Sequence, residues 1–332
     1  MATSFKDLSS VIHKSAELSW KTLELFADPE PYLPVLNGVI GDTLHAKESP
    51  LAIPMTLLGE IKGGKLCVLV HGLCDSEKTW CFEKDPSLSY GSLLKNDLGF
   101  SPLYLRYNSG LHISTNGRSL ARLLGEACKK APVPVQEIIF IGHSMGGLIV
   151  RSACHYGKAE NAPWVQCVKK IFFLGTPHLG SDYEKLGNLT SVILKLIPNP
   201  VTWGIATLGN RRSAGIKDLR FGYLLDEDWM EQDEDALLRD NRHPVPLLEG
   251  ADHYLITGAL AKKSDNIFTR YFGDGVIPLR SATGRSFVKT KALPFFPHHL
   301  KTVRGLSHVR LTRHRKVYKH IREWCGEKTG SG

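Results

Sequence analysis

Two spacing patterns alternate along this 332-residue chain. Short, continuous apolar runs occur at Leu66–Val70, Leu103–Tyr107, Ile138–Ile141, Ile171–Leu174 and Tyr254–Gly258, with a further one around Thr302–Val303. Runs of this length bounded by polar residues predict strands buried on both faces. Between them, apolar positions recur at helical spacing, predicting helices at 115–130, 146–157 and 309–325. Residues 55–61 add a short edge strand. Strands alternating with helices predict the α/β class: a mostly parallel central sheet with helices on both faces.

The flanks differ. Residues 10–28 place Val11, Leu18, Leu23 and Phe26 at helical spacing, and the proline-punctuated stretch 29–54 reads as a wrapping loop. The expected organisation is therefore an N-terminal helix and wrapping segment over 1–54, one α/β domain over 55–325, and a flexible tail over 326–332. About eighty residues separate Leu174 from Tyr254, too many for a simple connection. Within that gap Leu186, Leu189, Ile193 and Ile197 form an apolar stripe, and the acidic run Asp226–Asp235 reads as exposed helix or loop. Residues 178–250 are expected to form a helical cap over the carboxyl edge of the sheet, where open α/β sheets bind ligands. The stripe would then contact substrate. The competing reading is a small subdomain unrelated to substrate.

Chemistry enters at Gly142-His143-Ser144-Met145-Gly146-Gly147, between the run Glu137–Ile141 and a helix-like stretch. This is a G-x-S-x-G sequence in strand–turn–helix context, a nucleophile elbow. The glycines leave room where strand and helix backbones nearly touch, so that Ser144 sits on a strained turn with its hydroxyl held out from the sheet. A serine so placed can attack an acyl carbon if a base takes its proton and donors hold the oxyanion. One donor is expected from the N–H of Met145, at the positive end of the helix. The other is expected from Leu73, in the turn His71-Gly72-Leu73 that ends an earlier strand.

An acid and then a base should follow the serine. Asp252 precedes its strand and falls at the wrong end of the sheet. Asp265 and Asp274 both follow that strand. Asp274 is favoured because Gly273-Asp274-Gly275 is a tight turn able to aim a carboxylate. Of fourteen histidines, His308 lies between the last strand and last helix, in reach of Ser144. His298 and His299 come before that strand, and His314 and His320 fall on the final helix. His71, His143 and His178 lie near the site but before any acid, and are expected to shape the pocket.

The segments His71-Gly72-Leu73, Gly142–Gly147, Gly175-Thr176-Pro177-His178-Leu179-Gly180, Gly273–Pro278 and His308 occur in the order found in α/β-hydrolases of the lipase/esterase type. Over residues 64–325 the chain resembles that superfamily, close to bacterial triacylglycerol lipases and PGAP-type inositol-deacylase-like proteins. The resemblance implies the α/β-hydrolase fold, with Ser144 as nucleophile, His308 as base, Asp274 as acid, and hydrolysis of carboxylic esters without cofactor or metal. The same triad could act on amides, lactones or thioesters, or transfer an acyl group. A non-catalytic ligand-binding scaffold is the rival from another class.

Composition changes this picture little. The chain is 42% hydrophobic and 23% charged, ordinary for a globular protein. It has no eighteen-residue apolar run and no apolar segment in Met1–Asp7, so a cytoplasmic location is expected. Seven cysteines without framework spacing read as reduced thiols. The net charge of +9 is concentrated: residues 301–323 hold eight Lys/Arg and one Glu, giving +7 there. That basic 301–322 segment reads first as a solvated basic face; the alternative is attraction to an acidic substrate or peripheral contact with an anionic membrane. No nucleic-acid-binding module accompanies it. The expected partner is a small-molecule or lipid ester.

Overall fold

The computed structural model of the chain describes residue 30 and residues 32–180, 212–230, 242–260 and 293–326. The helix expected over 10–28, the stripe Leu186, Leu189, Ile193 and Ile197, both candidate acids Asp265 and Asp274, and most of the tail lie outside the described residues.

In chain order the described elements are α1 (Leu33–Ala46), β1 (Thr56–Leu58), β2 (Lys65–Val70), β3 (Cys81–Phe82), β4 (Asp85–Ser89), α2 (Tyr90–Leu98), β5 (Ser101–Arg106), α3 (Ile113–Lys129), β6 (Glu137–His143), α4 (Met145–Ala159), β7 (Val168–Leu174), α5 (Ala214–Phe221), α6 (Glu227–Met230), β8 (Asp252–Ala259), β9 (Leu300–Arg304) and α7 (Arg315–Gly326). The main sheet runs β1-β5-β2-β6-β7-β8-β9. Every neighbouring pair is parallel except β1 with β5. β3 and β4 form a separate hairpin.

Alternate residues of the apolar runs serve opposite faces. Leu66, Val68 and Val70 of β2 pack with Ile138, Phe140, Ile171 and Phe173 beneath α1, α3 and α4. Cys67 and Leu69 pack with Ile139, Ile141, Phe172 and Leu174 beneath α2 and α7. Two buried faces explain why these strands read as unbroken apolar runs. The chain runs from β2 out to β5, then crosses back to β6 on the other side of β2. Loops leave the carboxyl ends of β2 and β6 in opposite directions, opening the crevice where such sheets carry their sites.

Residues 29–54 are not simply a loop. They contain α1, with Pro34 in its first turn, where a missing N–H and a fixed φ suit a helix start. Val35, Leu36, Val39, Ile40 and Leu44 are buried against the sheet. Buried Asn37 donates to the Leu51 carbonyl at 2.8 Å and accepts the Ile53 N–H at 2.8 Å, tying the following segment to the helix.

The last helix also differs from expectation. A 3-10 turn covers His308–Arg310, and α7 begins only at Arg315. In the break, the Tyr90 hydroxyl lies 2.8 Å from the Leu311 carbonyl and accepts the His314 N–H at 2.8 Å. Polar groups that would otherwise extend the helix are thereby taken by a side chain from α2.

The described part of 178–250 packs near the carboxyl edge of β5. Ser213 Oγ donates to the Gly38 carbonyl at 2.7 Å, and buried Asp218 accepts the Ile113 N–H at 2.8 Å. The Trp229 ring stacks on His112 at 3.6 Å. The acidic run is exposed only in part. Asp228 is buried and accepts the N–H groups of Leu224, Leu225 and His243, which satisfies a carboxylate that could not otherwise leave water. Among the described residues no helix is long and apolar enough to cross a membrane.

Candidate active site

Ser144 stands between β6 and α4 with φ +51° and ψ −124°, a backbone conformation costing a non-glycine residue about 1–3 kcal/mol. The surroundings hold it there. The Ser144 N–H donates to the Leu174 carbonyl of β7 at 2.9 Å. A Cβ on Gly146 would collide with the carbonyl oxygens of Val70 and His71, and one on Gly142 would come 2.6 Å from Gly147 Cα. The turn is thus compressed between β2 and the start of α4, and only glycine fits on either side of the serine. Met145 opens the helix, so its N–H is among those with no intrahelical acceptor. Among the described residues, Ser144 Oγ has no hydrogen-bond partner.

The loop after β2 lies directly beside the elbow, because Val70 pairs with Gly142. A Cβ on Gly72 would approach Ser144 Cβ to 3.1 Å. The loop is held at both ends by residues that follow β5. Tyr107 donates its hydroxyl hydrogen to the His71 carbonyl at 2.7 Å. The Cys74 N–H donates to Ser109 Oγ at 3.0 Å. Cys74 itself has φ +58°. Leu73, between these two anchors, is buried.

His308 lies in the loop between β9 and α7, at the same edge. It is buried, and its ring rests over Gly175, the residue after β7. Gly175 has φ +59°, and a Cβ there would lie 2.9 Å from both Cε1 and Nδ1 of His308. Glycine is required twice over, by the backbone and by the ring above it. From the other side, His143 Nε2–H donates to the His308 carbonyl at 3.2 Å, with the two rings 4.7 Å apart. The residue preceding the nucleophile therefore anchors the backbone of the histidine expected to serve as base.

The three remaining histidines are neutral groups with separate partners. Burial and the neighbouring His308 hold His143 well below the ordinary imidazole pKa. A neutral ring fits its single donated hydrogen bond to a carbonyl. His71 is lowered by burial, and its Nδ1–H donates to the Gly72 carbonyl at 2.9 Å while its ring stacks on Tyr107 at 4.3 Å. His178 is also driven well down, first by burial and then by Arg151. It packs edge-on against Phe173 at 4.6 Å and near Phe295 at 5.2 Å, with Arg151 Nη1 3.5 Å from its Nδ1.

Ser144, Met145, His143, Gly72 and His308 are thus gathered at one edge of the sheet. The sequence reading gave no site role to Tyr107, Ser109 or Gly175. The Tyr107-Asn108-Ser109-Gly110 loop follows a strand end as His71-Gly72 does, but nothing local to it indicates which backbone groups it would hold.

Residues 60–220, just under half of the chain, match the family described as "Putative serine esterase (DUF676)". Comparison with curated proteins gives no match. Among solved structures, the propeptide form of the Bacillus licheniformis lipase BlEst2 aligns with a TM-score of 0.51 at 17% identity, over 84% of this chain and 55% of that one. Its mature form aligns with a TM-score of 0.48 at 17% identity, over 82% and 97%. An esterase of Pyrococcus furiosus aligns with a TM-score of 0.47 at 13% identity, over 83% and 87%. The strand order, the elbow after β6 and the likeness to the propeptide form of BlEst2 define an α/β-hydrolase fold. The segment similar to that serine-esterase family contains Ser144 and the His71–Leu73 loop.

Proposed function

We propose that this chain hydrolyses carboxylic esters through an acyl-enzyme formed on Ser144. His308 takes the Ser144 proton as Oγ attacks the acyl carbon. The N–H groups of Leu73 and Met145 hold the oxyanion, and Asp274 fixes the tautomer of His308. Collapse of the tetrahedral intermediate expels the alcohol, which takes the proton from His308. Water activated by the same imidazole then attacks the acyl-enzyme and releases the acid.

The observation that carries this reading is the strained Ser144 at the N-terminus of α4, with its hydroxyl uncommitted among the described residues and the His308 loop tethered to its neighbour His143. A helix N-terminus and a clamped loop beside it suit a developing negative charge. Esters are favoured over amides, lactones and thioesters by the serine-esterase match of the segment holding the nucleophile.

The decisive experiment pairs a fluorophosphonate probe with a panel of p-nitrophenyl esters, anilides and thioesters. Wild-type protein should be labelled and should turn over esters. Ser144→Ala should be unlabelled and lose at least about 10³-fold in activity. A folded Ser144→Ala variant with near-normal activity would overturn the assignment, and preferential turnover of anilides or thioesters would replace the ester.

A further inference from the structure

A cavity of about 540 Å³ lies at the carboxyl edge of the sheet, on the side of the His71–Leu73 loop away from β7. That volume is in the range of sites for small ligands. Its apolar wall is Leu33 of α1 with Leu51, Ile53 and Leu58, from the segment leading into and through β1. Its floor includes His71 and Tyr107, the stacked pair that braces the loop beside the nucleophile. We propose that this cavity receives the hydrocarbon chain of the ester, and that the segment 33–58 is the part of the molecule that selects for chain length.

Two observations favour an uncharged chain. The apolar wall offers dispersion contacts and few directional groups. Of the charged groups that line it, Lys78 is exposed, and Arg106 pairs with Glu77, Nε lying 3.1 Å from Oε2, and with Glu30 at 3.2 Å. A ligand ionic at Arg106 would have to displace one of these pairs.

Position argues for substrate rather than an unrelated ligand. His71 forms part of the cavity and Gly72 lies against Ser144, so a single residue separates cavity from nucleophile. The way from the ester to the cavity passes Gly72, whose Cβ position faces Ser144 and the His143 ring. The wall belongs to residues before the serine-esterase match at 60–220. It is an addition to the matched core, where differences in substrate choice are expected to reside.

This inference rests on the catalytic reading above, and its test separates the two. Leu58→Trp narrows the cavity from the strand, and Thr56→Trp does so from an exposed position that tolerates a larger side chain more readily. With melting temperatures confirming the fold, kcat/KM is measured for acetate, butyrate and octanoate p-nitrophenyl esters. The octanoate-to-acetate ratio should fall at least tenfold, mainly through KM. Octyl acetate and methyl octanoate, followed by acid release, show whether the alcohol or the acyl chain occupies the cavity, since the loss will fall on one of them.

A second readout needs no catalysis. In Ser144→Ala, the uncharged fluorophore N-phenyl-1-naphthylamine should bind, be displaced by methyl octanoate, and bind at least tenfold more weakly when Leu58→Trp or Thr56→Trp is added. Unchanged binding in both folded tryptophan variants overturns the proposal whatever Ser144 does. So does an absence of loss on both the octanoate esters and octyl acetate, or a chain-length response to Ile193→Ser in the expected cap but to neither tryptophan. Failure of the catalytic reading would appear instead as retained hydrolysis in Ser144→Ala.

Discussion

Tyr107 and His71 are joined twice, by a ring stack at 4.3 Å and by a 2.7 Å hydrogen bond from the Tyr107 hydroxyl to the His71 carbonyl. The second contact fixes the first residue of the loop proposed to supply an oxyanion donor, as Ser109 fixes Cys74 at its other end. A donor held by such contacts needs no reorganisation when charge develops, and that is the source of its catalytic value.

Tyr107→Phe keeps the ring and removes only the hydroxyl, leaving one loop carbonyl without its donor. Loss of a complete oxyanion donor costs roughly 10²–10³ in kcat. Loosening one should cost less, on the order of tenfold, with KM for an acetate ester little changed. Ser109→Ala should behave alike. Equal falls in kcat and rises in KM, or loss of fold at low temperature, would assign both residues to packing alone.

Gly175→Ala examines the seat of His308. Alanine at φ +59° costs about 1–2 kcal/mol, and its Cβ would press on the His308 ring at 2.9 Å. Activity should fall by at least tenfold, well beyond what a modest drop in melting temperature explains. Gly99→Ala is the control, because Gly99 has φ +74° with open space around it. It should lose comparable stability and keep its activity.

The parts of this architecture legible in sequence were those set by local pattern. Apolar runs such as Ile138–Ile141 marked strands because both faces are buried, and the elbow was visible because its glycines are close in sequence. Residues acting across the fold were not legible. Gly175 is needed because His308, more than a hundred positions later, lies above it. Tyr107 and Ser109 matter through backbone groups at His71 and Cys74. The helix α1 was read as loop because prolines suggest interruption, whereas Pro34 falls in the one turn where it is tolerated.

The acid rests on chain order and the glycine turn around Asp274. Asp274→Asn should lower kcat by orders of magnitude, by favouring the wrong tautomer of His308, while Asp265→Asn should change it little. Steady-state kinetics on the two folded variants decide the matter, and the reverse ranking transfers the role to Asp265.

Stability should depend on pH through the buried neutral histidines. Burial, with Arg151 and His299 nearby, lowers the pKa of His253 to about 4, and burial also depresses those of His71, His143 and His178. A group whose folded pKa lies below its unfolded value binds protons more readily when unfolded. Its stabilising contribution is therefore complete above about pH 6.5 and declines as pH falls toward the folded value. For His253 alone the loss between about pH 6.5 and 4 is on the order of 3 kcal/mol. Asp75 and Asp218, whose pKa values are raised by burial, act in the opposite sense. Their unfavourable ionisation is relieved as pH drops toward the ordinary carboxylate value, which opposes the histidine loss. The melting temperature should accordingly fall through this window. His253→Phe, which preserves a ring stacked near Phe173 and cannot take a proton, should flatten the profile. An identical slope in that variant would mean that His253 is protonated equally in both states, and that its burial does not control the acid limit.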